Sequence, residues 1–146
     1  MGQEYWRLQF DDIGYNFLVE IDNITQAGFQ EVAGLEATTD SVDYREGGDP
    51  NHVRKLPCLN KFASITLKRG ITDSDELWRW YLTVMDGKAE RRNGSIVLLD
   101  DRGSEKLRWN FANAWPSKWT GPSFNSTSNA VAIESLEIVH EEVRKV

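Results

Sequence analysis

The side chains able to do chemistry are few and far apart. The chain has two histidines, His52 and His140, and one cysteine, Cys58. A histidine beside a carboxylate is a common general acid–base pair, and Asp49 and Glu141 lie near enough in sequence to be drawn as partners. Neither histidine has a spaced partner of the metal-binding kind. A single cysteine excludes an intrachain disulfide and any multi-cysteine zinc site, and between Pro57 and Leu59 it reads as a small apolar filler in a loop. The glycines of Glu46-Gly47-Gly48-Asp49-Pro50 lack the Gly-x-x-x-x-Gly-Lys spacing that cradles phosphate, and instead permit unusual backbone angles in a loop. Asp100-Asp101 has the composition of a calcium or acid–base pair, but Arg102-Gly103 follows it, which predicts a hairpin turn. Six tryptophans could stack on sugars or bases. Trp78 and Trp80 fall in a helical stretch and Trp109 in strand phase, so these predict burial; Trp115 and Trp119, flanking Pro116-Ser117-Lys118, are the candidates for an exposed contact. No enzyme motif, cofactor site or metal site emerges.

The elements that would position these groups are mostly strands. Residues 16–23 alternate, with Phe17, Val19 and Ile21 on one face and Glu20 and Asp22 on the other. Residues 28–44 form a second extended stretch whose phase slips near Ala33-Gly34, as at a bulge or bend. Residues 44–61 hold two glycines and two prolines, and so long a connection predicts a binding loop. In 62–70, Ile65 and Leu67 oppose Thr66 and Lys68. Thr72-Asp73-Ser74-Asp75 then opens a helix over about 73–86, with Leu77, Trp80, Tyr81 and Val84 on one face and Gly87 as its stop. Residues 95–99 and 106–111 read as a hairpin, and a short segment at 117–120 is broken by Gly121-Pro122. Residues 131–139 alternate as a long final strand. The pattern is mainly β, two packed antiparallel sheets forming a barrel or sandwich with one flanking helix.

Composition sets the outer limits. The 146 residues make one domain with a single core, and a formal charge of −6 argues against sequence-specific or general nucleic-acid binding. The longest aliphatic run, Ile96-Val97-Leu98-Leu99, is far short of the roughly 20 residues of a membrane span. Residues 1–7 show no basic-plus-apolar leader pattern, which predicts a soluble chain made in the cytosol. Long two-faced strands leave sheet edges that must close or pair with another subunit, so self-assembly is the physical expectation.

Several segments resemble one known family. They are Gly28-Phe29 with Val32-Ala33-Gly34-Leu35, Asp43-Tyr44-Arg45-Glu46-Gly47-Gly48, Lys55-Leu56-Pro57, Ile65-Thr66-Leu67-Lys68-Arg69-Gly70, Asn113-Ala114-Trp115-Pro116 and 129–137 followed by His140-Glu141. In this order, over about residues 16–142, they are similar to the contractile-tail tube family. That family comprises phage tail tube proteins and inner tube proteins of extracellular contractile injection systems, and is akin to the haemolysin-coregulated tube protein of type VI secretion. Members commonly carry glycine where Cys58 stands, a departure that bears on loop packing.

The resemblance implies a tube domain without catalysis or cofactor. Six copies would form a ring, and rings would stack into a tube within a sheath. A baseplate, spike and tube-initiator would lie at one end, with tape-measure or cargo in the lumen. Assembly would occur in the bacterial cytoplasm, and the product would be the tail of a virion or of an extracellular phage-tail-like particle, with no membrane insertion by this subunit. By carry-over, Tyr44, Arg45, Gly47, Gly48, Leu56 and Pro57 would contact neighbouring subunits, and Glu20 and Asp22 would face the lumen. Three other readings compete: a tube-initiator ring subunit of the same family, a carbohydrate-binding β-sandwich using Trp115 and Trp119, and a small barrel enzyme using His52 or His140.

Overall fold

The computed structural model of the chain describes residues 16–24, 28–45, 47, 51, 53–127 and 132–146. Among them run strands β1 (Asn16–Ile21), β2 (Phe29–Ala33), β3 (Ala37–Tyr44), β4 (Arg54–Phe62) and β5 (Ile65–Gly70). Helix α1 (Glu76–Met85) follows, and then β6 (Arg92–Leu99), β7 (Glu105–Thr120), β8 (Ile133–Val139) and β9 (Glu142–Lys145). Every strand pairing is antiparallel.

Seven strands form a sheet in the order β1-β6-β7-β8-β5-β2, with β9 beside β7. The long β7 belongs to two layers. Its first half pairs β6 and β9, and its second half pairs β8. The switch falls where Asn113 takes φ +54° and Pro116, which has no N–H to donate, sits buried just before a bulge at Ser117. Val19, Ile21, Ile96 and Phe111 from one layer meet Ile65, Leu67, Leu136 and Ile138 from the other in a single core. This is the expected mainly β fold of two antiparallel sheets and one helix. The outer strands β1 and β2 are not paired with each other among the described residues, so the layers form a sandwich around β7 and the barrel is not closed.

The alternation in β1 is visible in the fold, with Val19 and Ile21 buried and Asp22 exposed just past the strand. At Gly34 the chain breaks from β2 and enters a different sheet. Gly34 takes φ +102°, and a Cβ there would stand 2.1 Å from the Ser64 carbonyl oxygen. Only glycine allows that crossing.

The helix starts later than 73. Thr72 Oγ1 accepts the Ser74 N–H in a local turn, and the first helical residue is Glu76 after Asp75. At the other end the Gly87 N–H donates to the Val84 carbonyl and the Lys88 N–H to the Thr83 carbonyl, with Gly87 at φ +79°. These paired bonds are a Schellman stop. Leu77 and Trp80 are buried against the sheets, contributing roughly 2–3 kcal/mol each. The Trp80 indole N–H donates to the Glu90 carbonyl at 2.7 Å.

The predicted loop over 44–61 is corrected by the structure: residues 54–61 belong to β4, which pairs β3 as a two-stranded ribbon. The strand expected over 131–139 is β8, with Val131 outside the described residues, but it is not the last: after a bend at His140-Glu141 the chain continues along β7 in the same direction as β9. The segment at 117–120 is not separate either, because β7 continues through Pro116.

Candidate assembly surfaces

The β3–β4 ribbon leaves the body as an arm. Of its described residues between Thr38 and Lys61, all but Asp40 are exposed. Antiparallel register puts directly opposed residues on one face. The pairs Tyr44↔Arg54 and Val42↔Leu56 lie on one face, and a bulge sets Cys58 and Leu59 against Asp40. This face carries Val42, Tyr44, Leu56 and Leu59 beside Arg54 in its outer half and ends in the Lys61–Asp40 ion pair at 3.0 Å near its root. The opposite face is polar. It carries the Asp43–Lys55 ion pair at 2.9 Å, Ser41 beside Pro57, and the Thr39–Asn60 hydrogen bond at 2.9 Å. Val42, Tyr44, Leu56 and Leu59 are between 41% and 65% exposed. A lone two-stranded ribbon is marginal in water, and an exposed apolar face on one is a candidate partner surface.

Among the residues picked from the sequence, Tyr44 and Leu56 stand on the apolar face, Pro57 on the polar one, and Arg45 and Gly47 beyond the last rung. Gly48, Asp49 and His52 lie outside the described residues. Cys58 is not a buried filler: it is exposed within β4, and among the described residues nothing is packed over the ribbon there.

A second surface is the outward face of β1, β6, β7 and β9. Glu20, Ser95, Asn110 and Arg144 form one continuous cross-strand row. The Ser95 hydroxyl donates to Asn110 Oδ1 at 2.6 Å, and Arg108 reaches Glu20 at 3.0 Å and Glu105 at 2.7 Å. Arg144 pairs with Glu142 on the same face. Glu105, and after it Glu20, hold the Arg108 guanidinium above its ordinary pKa, while Arg108 holds Glu105 below the usual carboxylate range. Glu20 and Asp22 thus line one open groove of about 780 Å³ with Arg108, Asn110 and Arg144. It is a polar wall with acids and bases alternating across it.

The remaining candidates resolve into structural roles. Asp100 Oδ1 accepts the N–H groups of Arg102 and Ser104, and these bonds, chiefly that from Ser104, lower its pKa. That is the hairpin turn predicted from the sequence. The His140 Nε2–H donates to the Ala63 carbonyl at 3.1 Å, and the ring lies between Phe62 and Phe111. Burial lowers its pKa against the smaller opposing effect of that bond. Trp115 and Trp119 are half-buried, and the Trp119 ring meets Trp78 edge-on with centroids 4.8 Å apart. No group of three or more His, Cys, Asp or Glu among the described residues is placed to hold a metal.

Sequence reasoning missed a buried pair. Arg69 is 2% exposed and Glu134 5%, and the Arg69 Nε–H donates to Glu134 Oε1 at 2.6 Å. Trp119 Nε1–H donates to the other carboxylate oxygen at 3.2 Å. The signal was phase: Arg69 falls in step with Ile65 and Leu67, and Glu134 with Leu136 and Ile138.

No curated protein sequence matches the chain. A chain in the extended sheath–tube complex of the extracellular contractile injection system PVC is 29% identical, with a TM-score of 0.81 over 90% of this chain and 88% of that one. A chain in the six-fold symmetrised baseplate of the anti-feeding prophage is 26% identical, with a TM-score of 0.79 over 91% and 93%. Hcp1 from Flavobacterium johnsoniae shares the fold at 18% identity and a TM-score of 0.55, over 88% and 94%. The model of the T4-like virus tail tube protein gp19 family matches residues 14–144, nearly the whole chain. The chain therefore belongs to the T4-like virus tail tube protein gp19 family, whose similar structures come from contractile injection systems.

Proposed function

We propose that this chain is the inner-tube subunit of a contractile tail or phage-tail-like injection particle. Six copies close into a ring and the rings stack. The β3–β4 arm crosses to neighbouring subunits, and the polar face holding Glu20 and Asp22 lines the lumen. Sheath contraction drives the tube forward and the lumen carries DNA or protein cargo; the subunit itself makes and breaks no bond. It assembles in the cytoplasm on a baseplate. The observation that carries this reading is the arm, a long ribbon with an apolar face that its own domain leaves bare. Covering Val42, Tyr44, Leu56 and Leu59 returns roughly 1 kcal/mol apiece, and each ring would repeat that gain in every subunit. An axial contact that never closes then builds a filament.

Negative-stain microscopy of the purified chain tests the proposal. Rings or stacked tubes are expected, and Val42→Ser with Leu56→Ser removes them while the unfolding midpoint stays within about 2 °C, since both sites are exposed. Gly47→Val is a second probe, because nothing among the described residues stands within 4 Å of a Cβ at Gly47. Monodisperse monomers at every concentration would overturn the proposal. The match to a baseplate chain supports a second reading, a single adapter ring at the tube's end. Isolated rings that never stack favour it.

A further inference from the structure

The arm depends on its root for its position. Every described residue between Thr38 and Lys61 except Asp40 is exposed. At the root, Ala37 pairs with Phe62 and the Ala63 N–H donates to the Glu36 carbonyl. Two contacts help tie this root to the body. Gly34 passes so close to the Ser64 carbonyl that a Cβ would clash, a contact with nothing to titrate. The other is His140, at the bend between β8 and β9. Its Nε2–H donates to the Ala63 carbonyl at 3.1 Å, and its ring lies 5.6 Å from Phe62 and 6.3 Å from Phe111 between centroids. Its other nitrogen, Nδ1, is buried with no hydrogen-bond partner among the described residues. A buried polar atom left over in this way calls for a reason.

We infer that His140 is a proton-sensitive latch, which holds the arm root to the β8–β9 bend while neutral and lets it go in acid. The neutral imidazole spends its one N–H on Ala63 and keeps only a lone pair at Nδ1. A second proton turns Nδ1 into a donor without an acceptor and sets a full charge between two phenyl rings. That charge strengthens the bond to Ala63, but burial outweighs the gain and holds the pKa below its ordinary 6.5. The ring is only half-buried, so a rotation can bring Nδ1 to water. Both nitrogens sit on one rigid ring, and the same rotation takes Nε2 from Ala63 and the ring face from Phe62. The root is then left with the Gly34 crossing.

The charged groups around the latch are otherwise engaged. On the bend, Glu141 accepts from Arg91 and from the Asn113 amide, each at 2.8 Å, and Glu142 pairs with Arg144. On the arm, Lys61 pairs with Asp40 at 3.0 Å. β7 meets the ring through Phe111, and Arg108, its nearest charged residue in sequence, is held by Glu20 and Glu105. Glu36, exposed in the link from β2 to β3, meets the root through its backbone carbonyl. The added proton at Nδ1 therefore finds no carboxylate to receive it.

The sign follows from linkage. The released ring titrates at its ordinary 6.5 and the latched ring lower, so protons favour release as pH falls through 6.5. Between pH 7 and 5 the released population can grow by at most about 25-fold. Nuclear magnetic resonance on the unassembled chain tests the latch, and its result does not depend on the tube reading. As pH falls, the amides of Ala37, Phe62 and Ala63 should shift with the midpoint of the His140 ring itself. The ring contact between His140 and Phe62 should weaken, and Ala63 amide exchange, corrected for its intrinsic rate, should rise at least about threefold. His140→Gln keeps an N–H for the Ala63 carbonyl but takes up no proton, and its root amides should stay flat over the same range. If that variant does not fold, the titration of the unmodified chain decides by itself. A His140 that protonates with its Phe62 contact intact and Ala63 exchange unchanged overturns the latch. Root amides that move equally in His140→Gln also overturn it, by placing the acid response on neighbouring carboxylates.

Discussion

Replacing Arg69 by methionine isolates the strongest electrostatic commitment in the core. The methionine would keep the side chain's length and apolar stem while removing the guanidinium that donates to Glu134 at 2.6 Å and to the Ser74 carbonyl at 3.4 Å. Glu134, 5% exposed, would keep one donor, the Trp119 indole. Removing one partner of such a pair costs about 3–5 kcal/mol, because a buried carboxylate is left without its counter-charge. Against a total stability of roughly 5–15 kcal/mol the loss is large. Arg69→Met with Glu134→Leu should recover most of it, since two apolar groups of similar volume replace a desolvated pair. Urea unfolding followed by tryptophan fluorescence measures all four corners of the cycle on the unassembled subunit. A single-substitution cost below about 1 kcal/mol, or a double variant no more stable than Arg69→Met, would refute the reasoning.

Two further substitutions probe the arm root. Burial holds the His140 pKa below its ordinary 6.5, so below that pH the unfolded chain takes up protons more readily than the folded one and stability falls on acidification. In His140→Phe this loss should vanish, flattening the dependence of unfolding free energy on pH between about 5 and 7; an unchanged slope assigns the acid sensitivity elsewhere. Gly34→Ala places a Cβ at φ +102° against the Ser64 carbonyl and should cost at least about 2 kcal/mol in urea unfolding. A neutral Gly34→Ala would mean that the chain does not cross between sheets as described.

How far the sequence reaches depends on how one-sided each element is. β1 was legible because one face is core and the other a polar wall, so Val19 and Ile21 alternate cleanly with Glu20 and Asp22. The helix was legible for the same reason, and its start was misplaced because Thr72 closes a local turn in place of the cap it mimics. Of the arm, β3 falls within the extended stretch read over 28–44, but β4 could not be read as strand. With both faces uncovered, no burial imposes alternation, and Pro57 and Cys58 sit in β4 without cost to a core they do not touch. The segment at 117–120 reads as separate from the sequence, yet β7 reaches it through Pro116 because the proline stands where the strand changes partners. β9 has only four residues, too few for any period to show. Of the candidate surfaces, the segment holding Tyr44, Leu56 and Pro57 was found through motif resemblance, while the row from Glu20 through Ser95 and Asn110 to Arg144 needed four strands brought together in space.

The contrast between body and arm leads to a last expectation. The body closes its own core around Leu67, Leu136, Ile138 and Trp80, and its strands should open only with global unfolding. The arm has no such support. Its ladder bonds are exposed on both faces, and a two-stranded ribbon is close to balance in water. In the free subunit, amides of β3 and β4 should therefore exchange with little protection while those of β5 and β8 exchange slowest. In assembled particles the arm's protection should rise more than tenfold, with β5 and β8 little changed. Hydrogen exchange read by mass spectrometry on both states resolves these segments. Arm amides already as protected as β5 in the free subunit would show that the ribbon is self-supporting, and the argument from its bare apolar face would fall. The expected pattern would instead mean that ordering the arm and joining a neighbour are one event. That coupling would hold free subunits apart until a docking surface is presented.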